Sequence, residues 1–148
     1  MNITRILVPT DFSPPSDKAL ACGLALAGSF DAVIHLLHVV EVAAGAEPLT
    51  VHYESQLLVK DVERMAWEEL QRLMPQADQR RARAELDVES GSPLDEILRY
   101  AKEHAIDLIV MGTHGRTGLS HLIIGSVAEH VVRSAPCPVM TVRHAADA

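Results

Sequence analysis

A chain of 148 residues with 20 acids against 13 Lys and Arg, net −7, is long enough for one domain with its own core and lacks the basic stripe that general nucleic-acid binding needs. Its two cysteines, Cys22 and Cys137, have neither C-x-x-C nor metal-ligand spacing, which excludes a disulfide framework and fits small core residues in a reducing cytoplasm. The chain opens without a basic-then-apolar leader, and its most apolar window, residues 32–46, is broken by His35, His38 and Glu41, so a membrane span is excluded and a cytoplasmic protein is expected.

Ile3 to Val8 reads as the first strand, stopped by Pro9, whose missing N–H cannot join a ladder; Thr10 and Asp11 follow its carboxyl end. Ser13-Pro14 predicts an N-cap with Pro at the first helical position, opening a helix to about Gly28-Ser29 with Leu20, Leu24 and Ala27 inward. Ala32 to Val40 is a second buried strand. Glu41 to about Tyr53, with Gly45 and Pro48, is a long irregular stretch, either a surface loop or a cover for a ligand. Glu54 to Met74 reads as an amphipathic helix with Leu58, Val62, Met65, Ala66, Leu70 and Leu73 at helical spacing and Trp67 at its flank, ended by Pro75. Arg80-Arg81-Ala82-Arg83 reads as a solvated turn leading into a strand.

Ala82 to Val88 alternates as an edge strand does, and Glu89-Ser90-Gly91 turns the chain. Ser92-Pro93-Leu94-Asp95 has the form of a capping box, opening a helix with Leu94, Ile97, Leu98, Ala101 and Ala105 on one face. The strand Ile106 to Met111, a glycine loop, a helix from Ser126 to about Ser134 with Ala128, Val131, Val132 and Ala135 inward, and a last strand Pro138 to Val142 complete the chain. The order β-α-β-α-β-α-β-α-β predicts one α/β domain over residues 1–148, a parallel sheet with helices on both faces. In such a sheet ligands bind beyond the carboxyl ends of the strands, where the strand order reverses.

The glycine loop carries the chemistry. Residues 112 to 126 contain no Asp or Glu but do contain His114, Arg116 and His121, and the thirteen-residue connection far exceeds the usual strand-to-helix loop of about two to six. Gly112, Gly115 and Gly125 are expected to take positive φ and bring backbone N–H groups close to a ligand oxygen. At Gly125-Ser126 a helix begins, where unpaired N–H groups favour an anion, so the stretch reads as a phosphate cradle. It is neither a Walker A loop, since it has no Lys, nor a G-x-G-x-x-G fingerprint. His114 and His121 lack a third ligand nearby, and His35 and His38 point to opposite faces of their strand, so a metal held by the protein itself is not expected.

The spacing G-x2-G-x9-G-S, carried by Gly112, Gly115 and Gly125-Ser126, resembles the signature of the ATP-binding branch of the universal stress protein family. Ile6-Leu7-Val8-Pro9-Thr10-Asp11 and Pro136-Cys137-Pro138-Val139-Met140-Thr141-Val142 resemble that family's opening and closing strands. The resemblance implies a five-stranded, doubly wound, Rossmann-like sheet of order 3-2-1-4-5. Adenine nucleotide, ATP with Mg²⁺ held mainly by its phosphates, is the implied ligand, and a homodimer through residues 138–143 the implied assembly. It implies Asp11 near adenine and ribose, the Val39 backbone on the adenine edge, and Gly112, Gly115, Gly125 and Ser126 on phosphate. Pro9, Thr10, Met111, His114 and Val127 flank those positions and complete the expected set; Arg116 either reaches a phosphate or points to solvent.

Two functions of different class follow. One is a regulatory nucleotide-binding module, acting on a protein partner the sequence does not identify. The other is an enzyme that slowly hydrolyses ATP or transfers its phosphoryl or nucleotidyl group, which needs a group to orient the nucleophile and a cation for the transition state. The loop supplies no carboxylate, and its one fixed cation is Arg116. An empty site on the same fold is the third possibility, against which the intact motif speaks.

Overall fold

The computed structural model describes residues 2–42, 53–74, 76–114 and 124–143. The expected irregular stretch therefore falls largely outside the described residues, as do Gly115 and Arg116. The elements are β1 (Arg5–Pro9), α1 (Pro14–Phe30), β2 (Val33–Glu41), α2 (Tyr53–Leu73), α3 (Gln76–Ala82), β3 (Ala84–Gly91), α4 (Pro93–Glu103), β4 (Leu108–Gly112), α5 (Ser126–Ser134) and β5 (Val139–Val142). The five strands form one parallel sheet in the order β3-β2-β1-β4-β5. After β3 the chain crosses back past β1 to lay down β4, so the order reverses between β1 and β4 as the resemblance implied.

Alternation along the strands builds two cores. Ile6, Val8, Ile34, Leu36 and Val110 face α1 and α2, where Ala19, Leu20, Ala27 and Leu70 meet them. Leu7, Leu37, Ile109 and Met111 face α4 and α5, meeting Ile97, Tyr100, Ala101, Ala128 and Val131. Each such Leu or Ile contributes about 1.5–3 kcal/mol on burial, so the central strands, buried on both faces, carry most of the stability. Gly23 lets α1 lie close to β1, since a Cβ there would stand 2.7 Å from Val8 Cγ2.

Several expectations are corrected. The run before β3 is not a turn: residues 76–82 form α3, because QADQRRA contains no breaker after Pro75. The helix stops where Arg83 takes φ 50 and its guanidinium bonds the Asp31 carbonyl and carboxylate. Glu89-Ser90-Gly91 does not turn either; it continues β3 in register with Val39, Val40 and Glu41, and Ser90 Oγ donates to Glu63 Oε1 of α2 at 2.5 Å. Ser13 and Ser92 occupy N-cap positions before Pro14 and Pro93, but neither side chain makes the cap bond, so the capping box is one in sequence only.

The helical stripe of α2 is buried at Ala66 and Leu70, whereas Leu58 is 66% exposed toward the start of the helix and Met65, 61% exposed, lines an open cleft. Trp67 is exposed, and so is Val132, on the outer side of α5. On α4 the buried residue not foreseen is Tyr100, while Ala105 is exposed at φ 47 just past the helix. The Tyr100 hydroxyl stands 3.1 Å from Nδ1 of buried His35, and His104 stacks on the phenol ring. Among the described residues no helix is long and apolar enough to cross a membrane.

Candidate functional site

A cleft of about 950 Å³ opens at the carboxyl ends of β1, β2 and β4. Ten of the twelve residues expected from sequence line it: Pro9, Thr10, Asp11, Val39, Met111, Gly112, His114, Gly125, Ser126 and Val127. Gly115 and Arg116 lie outside the described residues. Three stretches far apart in sequence thus meet at the switch point of the sheet, where a doubly wound fold leaves a crevice.

The first stretch is a rigid corner. Thr10 is buried, donates its amide to Leu37 O at 2.8 Å, and shares its hydroxyl with Ser16 Oγ at 3.1 Å and with the Phe12 amide at 3.1 Å. Oδ1 of Asp11 accepts the Ser13 amide at 3.1 Å and the Ser13 hydroxyl. The carboxylate therefore ties the corner together ahead of α1. Phe12, between them, sits at φ 62. Such a conformation costs a non-glycine residue about 1–3 kcal/mol and is retained where its surroundings hold it. Here the ring of His38 stacks on Phe12 at 4.4 Å.

The second stretch is the glycine loop, whose described ends are pinned. A Cβ on Gly112 would lie 3.0 Å from the backbone carbon and Cβ of Pro15, so the position needs glycine for the close approach of α1. The expected positive φ is corrected at Gly112 and Gly125, since among the described glycines Gly91 alone has one and Gly125 takes φ −57. The Thr113 amide donates to Val142 O at 3.1 Å, and the Gly125 amide donates to Thr113 O at 2.7 Å. Gly125 thereby commits its own N–H to closing the loop, and the first amides of α5, those of Ser126, Val127 and Ala128, have no acceptor within the helix.

The N-termini of α1, α4 and α5 border the cleft, and their sequences rank them as anion sites. α1 begins Pro14-Pro15, which removes two donors, and carries Asp17 in its first turn. α4 begins with Pro93 and carries Asp95 and Glu96. α5 begins Ser126-Val127-Ala128, and its first acid, Glu129, is bonded to Arg133 at 2.7 Å. The positive end of α5 is the least compensated of the three. The acids that line the cleft among the described residues are Asp11, Glu41 and Glu69, on the β1, β2 and α2 side. The cleft is thus polarised, with its lining carboxylates on the β1, β2 and α2 side and none at the start of α5 among the described residues.

Lining residues not expected from sequence come from helices. Val62, Met65 and Ala66 of α2 form one wall, and Ser92, Pro93, Leu94 and Ile97 of α4 another. The βαβ order already places the start of α4 at this end of the sheet, and that signal was available. Phe12 and buried Thr113 were missed as well; a Phe inside the polar run Thr10-Asp11-Phe12-Ser13 was the available sign. Among the described residues no three His, Cys, Asp or Glu side chains are grouped to hold a metal ion.

Comparison with known proteins agrees with this geometry. The profile of the "Universal stress protein family" matches residues 2–143. A universal stress protein of Methanocaldococcus jannaschii, MJ0531, is 33% identical over 139 residues, spanning 94% of this chain and 81% of its own. The solved structure of MJ0577, from the same organism, is 26% identical with a TM-score of 0.82, over 97% of this chain and 98% of that one. The universal stress protein of Archaeoglobus fulgidus, solved in complex with dAMP, has the same fold at 22% identity and TM-score 0.58, over 96% of this chain and 99% of that one.

Proposed function

The chain belongs to the universal stress protein family, and from that premise we propose that it is an adenine-nucleotide-binding regulatory module whose ligand is ATP. The carrying observation is the polarity of the cleft. Phosphate goes to the first turn of α5, where Ser126, Val127 and Ala128 present amides and no carboxylate lines the wall; the nucleoside goes to the β1 and β2 tips, with Asp11 and the Val39 backbone. Gly112 belongs to the same cradle. His114 and Val127 flank the phosphate path, and Gly115 and Arg116 extend it by motif alone. Three or four charge-assisted contacts of about 1.5–3 kcal/mol each, set against an association cost of about 4–15 kcal/mol, leave at most about 8 kcal/mol, so micromolar is the tightest affinity these contacts alone support.

The lining acids belong to β1, β2 and α2 and none to α5, so Mg²⁺ would be held mainly by the phosphates, and no described carboxylate on α5 lines the cleft to orient water for rapid hydrolysis. A start of α5 that brings no carboxylate to the cleft wall therefore favours binding over catalysis. Regulation follows if bound and empty protein differ in affinity for a partner. Self-association through the edge strand β5, with Met140 exposed on it, is part of the proposal, as is a cytoplasmic location.

Calorimetric titration of ATP with Mg²⁺ tests the reading, together with mass spectrometry of small molecules released from the purified protein. The expected result is micromolar binding by the parent and none by Gly115→Val at unchanged fold. A Gly115→Val protein that binds ATP as the parent does overturns the assignment.

A further inference from the structure

We propose that His38 is a positioning residue of the cleft: its imidazole fixes where the Thr10–Asp11 corner stands, and so governs affinity for the nucleoside half of the ligand and not for the phosphate half. The inference rests on the nucleotide reading above and adds to it a residue on the face of β2 opposite Val39. Nδ1 of His38 lies 2.8 Å from the carbonyl oxygen of Thr10. A carbonyl only accepts, so Nδ1 carries the proton. The same ring stacks on Phe12 at 4.4 Å and 30°. One imidazole thus holds the residue before Asp11 by its carbonyl and the residue after it by its ring. Phe12 at φ 62 would relax to an ordinary conformation without that support, carrying Asp11 with it. Because His38 projects from the tip of β2, it also ties this corner to the strand that presents Val39. The phosphate end hangs from a separate set of bonds, Thr113 to Val142 and Gly125 to Thr113, in which His38 has no part.

Two substitutions separate the two holds. His38→Phe keeps a ring against Phe12 and loses the donor; His38→Asn places an amide N–H where Nδ1 stood and loses the ring. Binding of ATP, adenosine and inorganic triphosphate, each with Mg²⁺, is measured for both and for the parent. In His38→Phe, ATP and adenosine weaken about five- to tenfold, the worth of one hydrogen bond, while triphosphate is unchanged. His38→Asn recovers most of that loss. Nitrogen NMR of the parent reports the Nδ1–H tautomer. Should His38→Phe fail to fold, Phe12→Leu, which removes the stack alone, carries the same split between adenosine and triphosphate.

Equal weakening of all three ligands, unchanged ATP affinity, or an Nε2–H tautomer overturns the proposal. A parent that binds no nucleotide overturns the reading beneath it. A parent that binds while His38→Phe binds equally well overturns the positioning role alone.

Discussion

The carbonyl of Thr113 accepts the amide of Gly125 at 2.7 Å, and this bond across the neck of the glycine loop fixes where α5 begins. The next residue, Ser126, is the first whose side chain stands at the positive end of that helix. Ser126→Asp therefore separates helix stability from phosphate binding. A carboxylate there favours the helix by about 0.3–1 kcal/mol and repels a phosphate at the same spot. We expect an unchanged or slightly raised melting temperature with ATP binding lost. Retained ATP affinity would place the anion elsewhere.

Gly112→Ala tests the contact between β4 and α1. The added methyl meets the Pro15 backbone at 3.0 Å, and a Pro-Pro helix start cannot easily yield. The expected cost is about 1–3 kcal/mol of stability, the usual range for overpacking, read from urea denaturation, with weaker nucleotide binding following from the displaced loop. Unchanged stability would mean that α1 can move away freely.

His35 gives stability a pH dependence. Burial holds its pKa below the ordinary 6.5, and nearby Glu85 acts in the opposite, weaker sense. A base whose folded pKa is depressed binds its proton more readily when unfolded, so stability is full above about 6.5 and falls as pH drops from there toward the folded value. The slope stays within about 1.4 kcal/mol per pH unit, the limit for one proton. His35→Gln can still bond the Tyr100 hydroxyl but does not titrate there. Denaturation at pH 7.5 and 5.5 is expected to show a smaller loss in that variant than in the parent, and equal losses would remove His35 from the account.

The edge strand makes a prediction about assembly. The carbonyls of Pro138 and Val142 face β4, bonding Ile109 and Thr113, so the alternate residues Val139 and Thr141 turn their backbone groups to the open edge. Thr141→Pro removes one outward N–H and no bond to β4, a change edge strands accept. Sedimentation at tens of micromolar is expected to give a dimer for the parent and a monomer for the variant. A monomeric parent would contradict the edge pairing.

What could be read from the sequence was set by how local each cause is. Ile106 to Met111 announced a buried strand because a strand buried on both faces needs apolar residues at every position, and Leu108–Gly112 is what forms. Glycine spacing and missing acids marked the proposed phosphate end for the same reason. Strand order is not local: nothing in the residues dictates that β4 returns beside β1, and that expectation came with the family resemblance. The stripe on α2 showed a period without telling which neighbour covers it, so Met65 faces the cleft while Leu70 is buried. Gly112 read as conformational freedom and proved to be a gap filled by Pro15, a contact 97 residues away.

Amide NMR during ligand addition tests the central claim most directly. ATP and inorganic triphosphate are expected to shift the backbone amides of Ser126, Val127 and Ala128, with adenosine leaving those three in place and moving the Thr10 and Asp11 signals instead. Phosphate-dependent shifts that gather at the start of α4, or at none of the helix starts, would contradict an anion held by α5.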